Sequence, residues 1–201
     1  MLEPALHFAG SSVSWLELWA FALALGGVVL TARVSPWGWP PTIVASALYG
    51  WLFFEHRLYG DAALQLFFIA VSAWGWRAWL RTTPADASRV GSGVRSLDAR
   101  VTRRLALALV ACWAVLGALL TRFTDTDVPW FDAAPTAGSV FAQVLLARKF
   151  VQAWALWIGV NLVAVALFAG KSLWLTALLY LIFVALSVAG WRRWRQLAQL
   201  P

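Results

Sequence analysis

Charge and sulfur are scarce in this chain. Of 201 residues only 12% are charged, and there is one cysteine, one methionine and two histidines. The lone Cys112 excludes a disulfide within the chain and a cysteine metal cage; its expected role is packing. His7 and His56 stand far apart and neither lies deep in an apolar run. Two scattered histidines and one lone cysteine argue against a metal cluster or an activated nucleophile with its base. No nucleotide-binding motif is present. The expectation is a protein with no catalytic residues, no metal and no cofactor. No Lys or Arg precedes Arg33, so the first apolar segment lacks the basic flank of a cleaved signal peptide and is expected to be retained. The net charge of +7 raises nucleic acid as a partner, but no basic face with exposed stacking aromatics is legible, and none is expected.

Apolar surface is abundant instead. The apolar fraction is 62%, the mean hydropathy is +0.73 and there are fifteen tryptophans. A soluble domain of this size leaves too much area exposed to hide that surface. The runs are continuous rather than alternating, which selects helices over barrel strands. The expected fold is an all-α integral membrane protein with seven transmembrane helices in a single domain spanning 1–201. The spans fall near 14–33, 37–54, 59–80, 104–121, 130–148, 151–169 and 172–191. The fifth is the weakest: Asp132, Pro135 and Gly138 interrupt its first third, and its firm part starts near Ser139. The stretch from Arg81 to Arg103 reads as a flexible polar connector. Pro36, Pro40 and Pro41 mark the start of the second helix, either as a plain first turn or as a hinge.

The basic residues orient the spans. Placing the 81–104 loop and the C-terminus inside collects Arg33, Arg77, Arg81, Arg89, Arg95, Arg100, Arg103, Arg104, Arg148, Lys149, Arg192, Arg193 and Arg195 on that side. Only Arg57, Arg122 and Lys171 remain outside, with the acidic stretch 124–132. This asymmetry predicts an inner-membrane protein with its N-terminus outside and its C-terminus cytoplasmic.

The pentapeptides GWRAW (75–79) and GWRRW (190–194) show that the chain repeats itself. At an offset of 115, Trp15 meets Trp130, VLTAR (29–33) meets VLLAR (144–148), Trp39 meets Trp154 and Ser72 meets Ser187. In that single register 21 of the 65 positions in 15–79 are identical. The first three spans (repeat 1, about 14–80) therefore recur as the last three (repeat 2, about 130–195). An odd number of helices needs one further crossing to restore the same sense, and the span at 104–121 supplies it. Parallel repeats of this kind are a transporter architecture, with a substrate site near the midplane and alternating access by rocking. The repeated tryptophans are expected to anchor at the cytoplasmic interface, with their arginines on lipid phosphates.

Polar residues inside the spans are the candidate site. Trp154, Trp157 and Asn161 share one helical face at i, i+3 and i+7. Two indoles and a carboxamide at mid-span suit a flat heteroaromatic ligand; the alternative is helix packing, with Asn161 bonding a neighbouring helix. Asp61 and Gln65 stand at i, i+4 in the third span; Asp61 lies at the outer end, where pairing with Arg57 is an equal reading. Gln143 in the fifth span and Tyr49 in the second complete the set, each with packing as the alternative. Ser46 occupies the position equivalent to Asn161, so the ligand is expected to bind asymmetrically, with more aromatic surface from the second half.

The stretches RKFVQAWALWIGVN (148–161) and LFFEHRLYGDAALQLFF (52–68), with the paired pentapeptides, resemble the PnuC family of bacterial vitamin transporters, over about residues 15–195. The resemblance implies a seven-helix carrier of SWEET-like 3+1+3 topology. Its implied substrate is nicotinamide riboside, imported down its gradient and trapped by a cytosolic kinase. Thiamine or riboflavin is the alternative within the family. It also implies that Trp154, Trp157 and Asn161 clasp the ring, that Gln65 lies in the pocket, and that a homotrimer forms. Beside these readings stand a membrane enzyme, against which the histidines and cysteine argue, and a non-transporting scaffold, which flux through liposomes would separate.

Overall fold

The computed structural model describes residues 4–8, 11–55, 57, 59–81, 93–124, 128–170 and 174–199. His56, Lys171, residues 82–92 of the expected connector and residues 125–127 of the acidic stretch lie outside the described residues. Seven long helices appear among those described: α1 (Trp15–Ala32), α2 (Trp39–Glu55), α3 (Tyr59–Leu80), α4 (Ala99–Phe123), α5 (Pro129–Ala147), α6 (Gln152–Gly170) and α7 (Trp174–Leu197). Each coincides with one expected span. A short antiparallel hairpin, β1 (Pro4–Phe8) with β2 (Ser11–Ser14), precedes α1 and sets His7 opposite Ser12. The chain divides into two compact units, residues 1–88 and 89–201.

In the first unit α1 begins with a reciprocal cap. Ser14 Oγ accepts from the Glu17 backbone N–H at 3.3 Å, and the Glu17 carboxylate accepts from the Ser14 N–H at 2.7 Å. Two orphan donors of the first turn are thereby satisfied. α1 ends at Arg33, and Val34 turns the chain back with φ +59°. The Val34 N–H donates to Thr31 O at 2.9 Å and the Ser35 N–H to Leu30 O at 3.0 Å. This is a Schellman termination, here without its usual glycine. A single 3-10 turn, Pro36–Gly38, leads into α2, whose first turn holds Pro40 and Pro41. Prolines there lose no intrahelical bond, so they mark a plain helix start. Gly38 lets α1 approach closely: a Cβ at that position would lie 2.7 Å from the Thr31 backbone nitrogen and side chain. α2 then packs on α3.

The second unit repeats that geometry 115 residues later. α5 ends at Arg148, and Lys149 turns the chain with φ +59°. Lys149 N–H donates to Leu146 O at 3.0 Å and Phe150 N–H to Leu145 O at 2.9 Å. The capping dihedrals agree as well: Arg33 has φ −83°, ψ 6° and Arg148 has φ −87°, ψ 6°. Trp39 meets the ring of Trp79 edge-on at 5.2 Å and 84°, and Trp154 meets Trp194 at 5.5 Å and 84°.

This pairing corrects the expected interface role of the pentapeptides. Trp79 and Trp194 are 5% and 0% exposed, and Trp39 and Trp154 are 0% and 1%. The second tryptophan of each phrase is a core residue, not a headgroup anchor. The glycine of the phrase explains why: a Cβ on Gly190 would lie 2.7 Å from the Trp154 ring, so only glycine admits that indole between α6 and α7. The exposed members are the arginines, and Arg195 lies 5.0 Å over the Trp191 ring.

Two further expectations change. α5 is helical from Pro129, ten residues before Ser139. Pro129 fits the first turn, where its missing N–H is no loss, and Pro135 is carried inside the helix. Trp130 anchors this start on α4: it packs edge-on to Trp113 at 5.4 Å, its carbonyl accepts from Trp113 Nε1 at 2.8 Å, and Gly117 makes room for its ring. The connector is also not free along its whole length. Arg95 N–H donates to Lys149 O at 2.9 Å and Val151 N–H donates to Arg95 O at 3.0 Å. Gln152 Oε1 accepts from the Leu97 N–H at 3.1 Å, and its Nε2 donates to Ser96 Oγ at 3.0 Å. Residues 93–98 are therefore strapped to the turn between α5 and α6. Asp98 then caps α4 by accepting from Val101 N–H at 2.8 Å.

Candidate functional site

α6 carries no charged residue over its nineteen positions. Asn161 is the tenth, so its carboxamide sits at the helix midpoint, about 14 Å along the axis from Gln152. It is 5% exposed and its Nδ2 donates to Ser187 Oγ on α7 at 3.4 Å. A carboxamide has two N–H donors and an acceptor oxygen. One long bond orients the group without using its full capacity. Trp157, one turn earlier on the same face, is half-buried and presents ring surface.

Trp154 completes the expected triplet differently. It is wedged against Gly190 and Trp194, and its Nε1 has no acceptor among the described residues. The equivalent Trp39 Nε1 is in the same condition. Trp154 thus fixes the α6–α7 spacing on which the placement of Trp157 and Asn161 depends. Gln143 is buried in the second half of α5. Burial lowers the Lys149 ammonium pKa below its usual value in the turn that follows.

The other three expected residues lie in the first unit. Tyr49 is half-buried and stacks on Phe53 at 6.1 Å, one helical turn away. Gln65 is half-buried and lies across Gly50 of α2, where a Cβ would come within 3.3 Å of the Gln65 Cβ. Asp61 is exposed in the first turn of α3, where a carboxylate complements the helix dipole. Ser187 was missed by sequence reasoning as a site residue. Its signal was present: it matches Ser72 in the 115-residue register, and both are buried. Among the described residues no cluster of three metal-ligating side chains occurs.

The arrangement is a polar, aromatic face at the middle of an uncharged helix. Its sequence context decides the family: the profile of the nicotinamide mononucleotide transporter family matches residues 14–196. The chain belongs to this family. Family membership makes it a multi-pass membrane transporter. Among the described residues four helical stretches are long and apolar enough to cross a bilayer on length and composition alone: 15–32, 99–123, 152–170 and 176–197. The chain is similar to the nicotinamide riboside transporter PnuC of Escherichia coli K12, with 24% identity over 92% of this chain and 87% of that one. It is similar to the riboflavin/roseoflavin transporter RibM of Streptomyces davaonensis, with 29% identity over 90% and 85%. A crystal structure of the vitamin B3 transporter PnuC shares its fold, with a TM-score of 0.74, 22% identity and 92% of this chain covered. The PnuC resemblance carried by residues 148–161 and 52–68 is thus the family that these relatives represent.

Proposed function

We propose that this transporter imports nicotinamide riboside by facilitated diffusion. The observation that carries the reading is the mid-helix face of α6, with the Asn161 carboxamide buried beside the half-buried Trp157 ring. A nicotinamide ring bears its own carboxamide and, as the riboside, a positive charge on the ring. An indole face favours such a flat cation, and Asn161 pairs amide to amide. The family description names a mononucleotide, but a phosphate would call for a cationic partner, and α6 holds none. The relatives named for the riboside agree with that chemistry. Gln65, Gln143, Tyr49 and Asp61 are further contacts in this reading, and Trp154 supports the ring-binding face.

The reading includes the same-sense duplication, three helices, one crossing and three helices, in the bacterial inner membrane with the C-terminus cytoplasmic. It also includes trapping of the riboside by a cytosolic kinase, a homotrimeric assembly and the absence of catalysis by the carrier itself. Uptake of labelled nicotinamide riboside into proteoliposomes tests it. Internal label should rise to the external concentration and no further, and Asn161→Ala should slow it at sub-saturating substrate. A second reading, riboflavin transport, is favoured by the 29% identity to RibM. Flavin flux with no riboside flux would replace the first reading with the second.

A further inference from the structure

A groove of about 270 Å³ runs between α4, α5 and α6 inside the second unit. Its walls include Leu109, Val110 and Trp113 on α4 and Ala155, Gly159 and Val163 on α6. None offers a free polar group, because Trp113 Nε1 is already bonded to the Trp130 carbonyl at 2.8 Å. The groove therefore selects hydrocarbon. It is open rather than collapsed: Ala155 and Gly159 are exposed, and a Cβ built on Gly159 meets nothing within 4 Å. It is also separate from the binding face. At 100° per residue, Gly159 and Val163 each lie two positions from Asn161, nearly opposite it around α6.

Toward the N-terminus of α4, beyond the groove lining, the same strip of that helix changes character. Arg103 stands seven residues before Val110, on the same strip of α4 and about 10.5 Å nearer its N-terminus. Arg100 and Arg104 flank it, and all three are exposed. Asp98, the acidic residue nearest to them in sequence, is engaged with the Val101 N–H as the helix cap. An acyl chain alone would leave these guanidinium groups unanswered, and a free phosphate would leave the groove empty. The combination points to one amphiphile with both parts.

We propose that this groove binds one acyl chain of an anionic phospholipid, with the phosphate held by Arg103 and its neighbours at the start of α4. In a bilayer an unfilled groove forfeits dispersion contacts along its walls, and anionic headgroups gather at clustered arginines. A second copy of the chain set here in the same membrane sense would bring its own arginines to the same depth, and like charges oppose that arrangement.

The test is native mass spectrometry of the detergent-purified chain, titrated with dioleoylphosphatidylglycerol or dioleoylphosphatidylcholine. The anionic lipid should be retained at least about fivefold more tightly than the zwitterionic one. The double change Arg103→Gln with Arg104→Gln should erase that preference while leaving zwitterionic lipid binding intact. Gly159→Phe, which fills the groove, should weaken both lipids about tenfold; Ala155→Leu serves the same purpose if the first variant is poorly expressed. Inorganic phosphate at millimolar concentration should not compete. Binding of the transported vitamin reports that each variant is folded, since the groove and the binding face lie on different sides of α6. Equal retention of the two lipids by the unmodified chain overturns the proposal. So does undiminished lipid binding in the filled-groove variants. So does a change of oligomeric state on filling, which would assign the groove to a second copy.

Discussion

The two compact units share a backbone device and differ in what they hang on it. In each three-helix repeat the first helix (α1, α5) closes with a Schellman turn at a non-glycine residue of φ +59°, and the second is locked to the third (α2 to α3, α6 to α7) by an edge-on tryptophan pair. At the next positions along the second helix they diverge. Thr42 and Ser46 in α2 correspond to Trp157 and Asn161 in α6. The buried hydroxyls Ser72 and Ser187 are common to both. The tryptophan pair and the turn recur in each repeat, while the face one and two turns further along is free to differ. In the second unit that face has become aromatic and amide-bearing.

The largest expected effect breaks the scaffold equally in both units. Trp39→Ala and Trp194→Ala each remove a fully buried indole and should destabilise the chain by about 3–5 kcal/mol, read as thermal unfolding in detergent. If Trp39→Ala were mild and Trp194→Ala severe, the two units would not share a device. Gly190→Leu should be nearly as damaging, because its side chain would have to enter the volume of the Trp154 ring. A normal melting temperature for that variant would show that α6 and α7 can move apart at little cost.

The next effect separates the faces. Asn161→Ala should lower vitamin affinity at least about tenfold in titration calorimetry, the cost of an unpaired buried polar partner. Ser46→Ala, its counterpart, should change affinity less than about twofold. Trp157→Ala should weaken binding with little loss of stability, the reverse of what Trp79→Ala should do. Ser187→Ala is expected to be milder than Asn161→Ala, about threefold in affinity, since it loosens the amide without removing it. The smallest effect tests the turn. Val34 is β-branched at a positive φ, a conformation costing L-residues about 1–2 kcal/mol. Val34→Gly should therefore stabilise by about 0.5–1 kcal/mol after the added chain entropy of glycine is subtracted.

Much of this was legible beforehand because hydrophobic runs of membrane-spanning length leave little freedom. All seven helices lie where the apolar runs lie, and the start of α2 at its prolines follows from the rigidity of proline. The first third of α5 was not legible. Pro135 and Asp132 look like interruptions until Trp130 is seen packed on Gly117 and Trp113 of the preceding helix, a contact that spacing along α5 does not record. The strap at residues 93–98 was hidden for the same reason: its polar composition resembles a loose connector, and its partners are a turn and a side chain some fifty-five residues away.

The amino-acid order alone determined the helical membrane class, the 115-residue recurrence and the face that joins Trp157 to Asn161, because each follows from local spacing and from the exclusion of water. Only the tertiary structure decided that the repeated pentapeptides build a core rather than an interface, and that Asn161 is steadied by Ser187. Those roles depend on which side chains two helices bring within a few ångströms, and spacing along one helix carries no record of its neighbour.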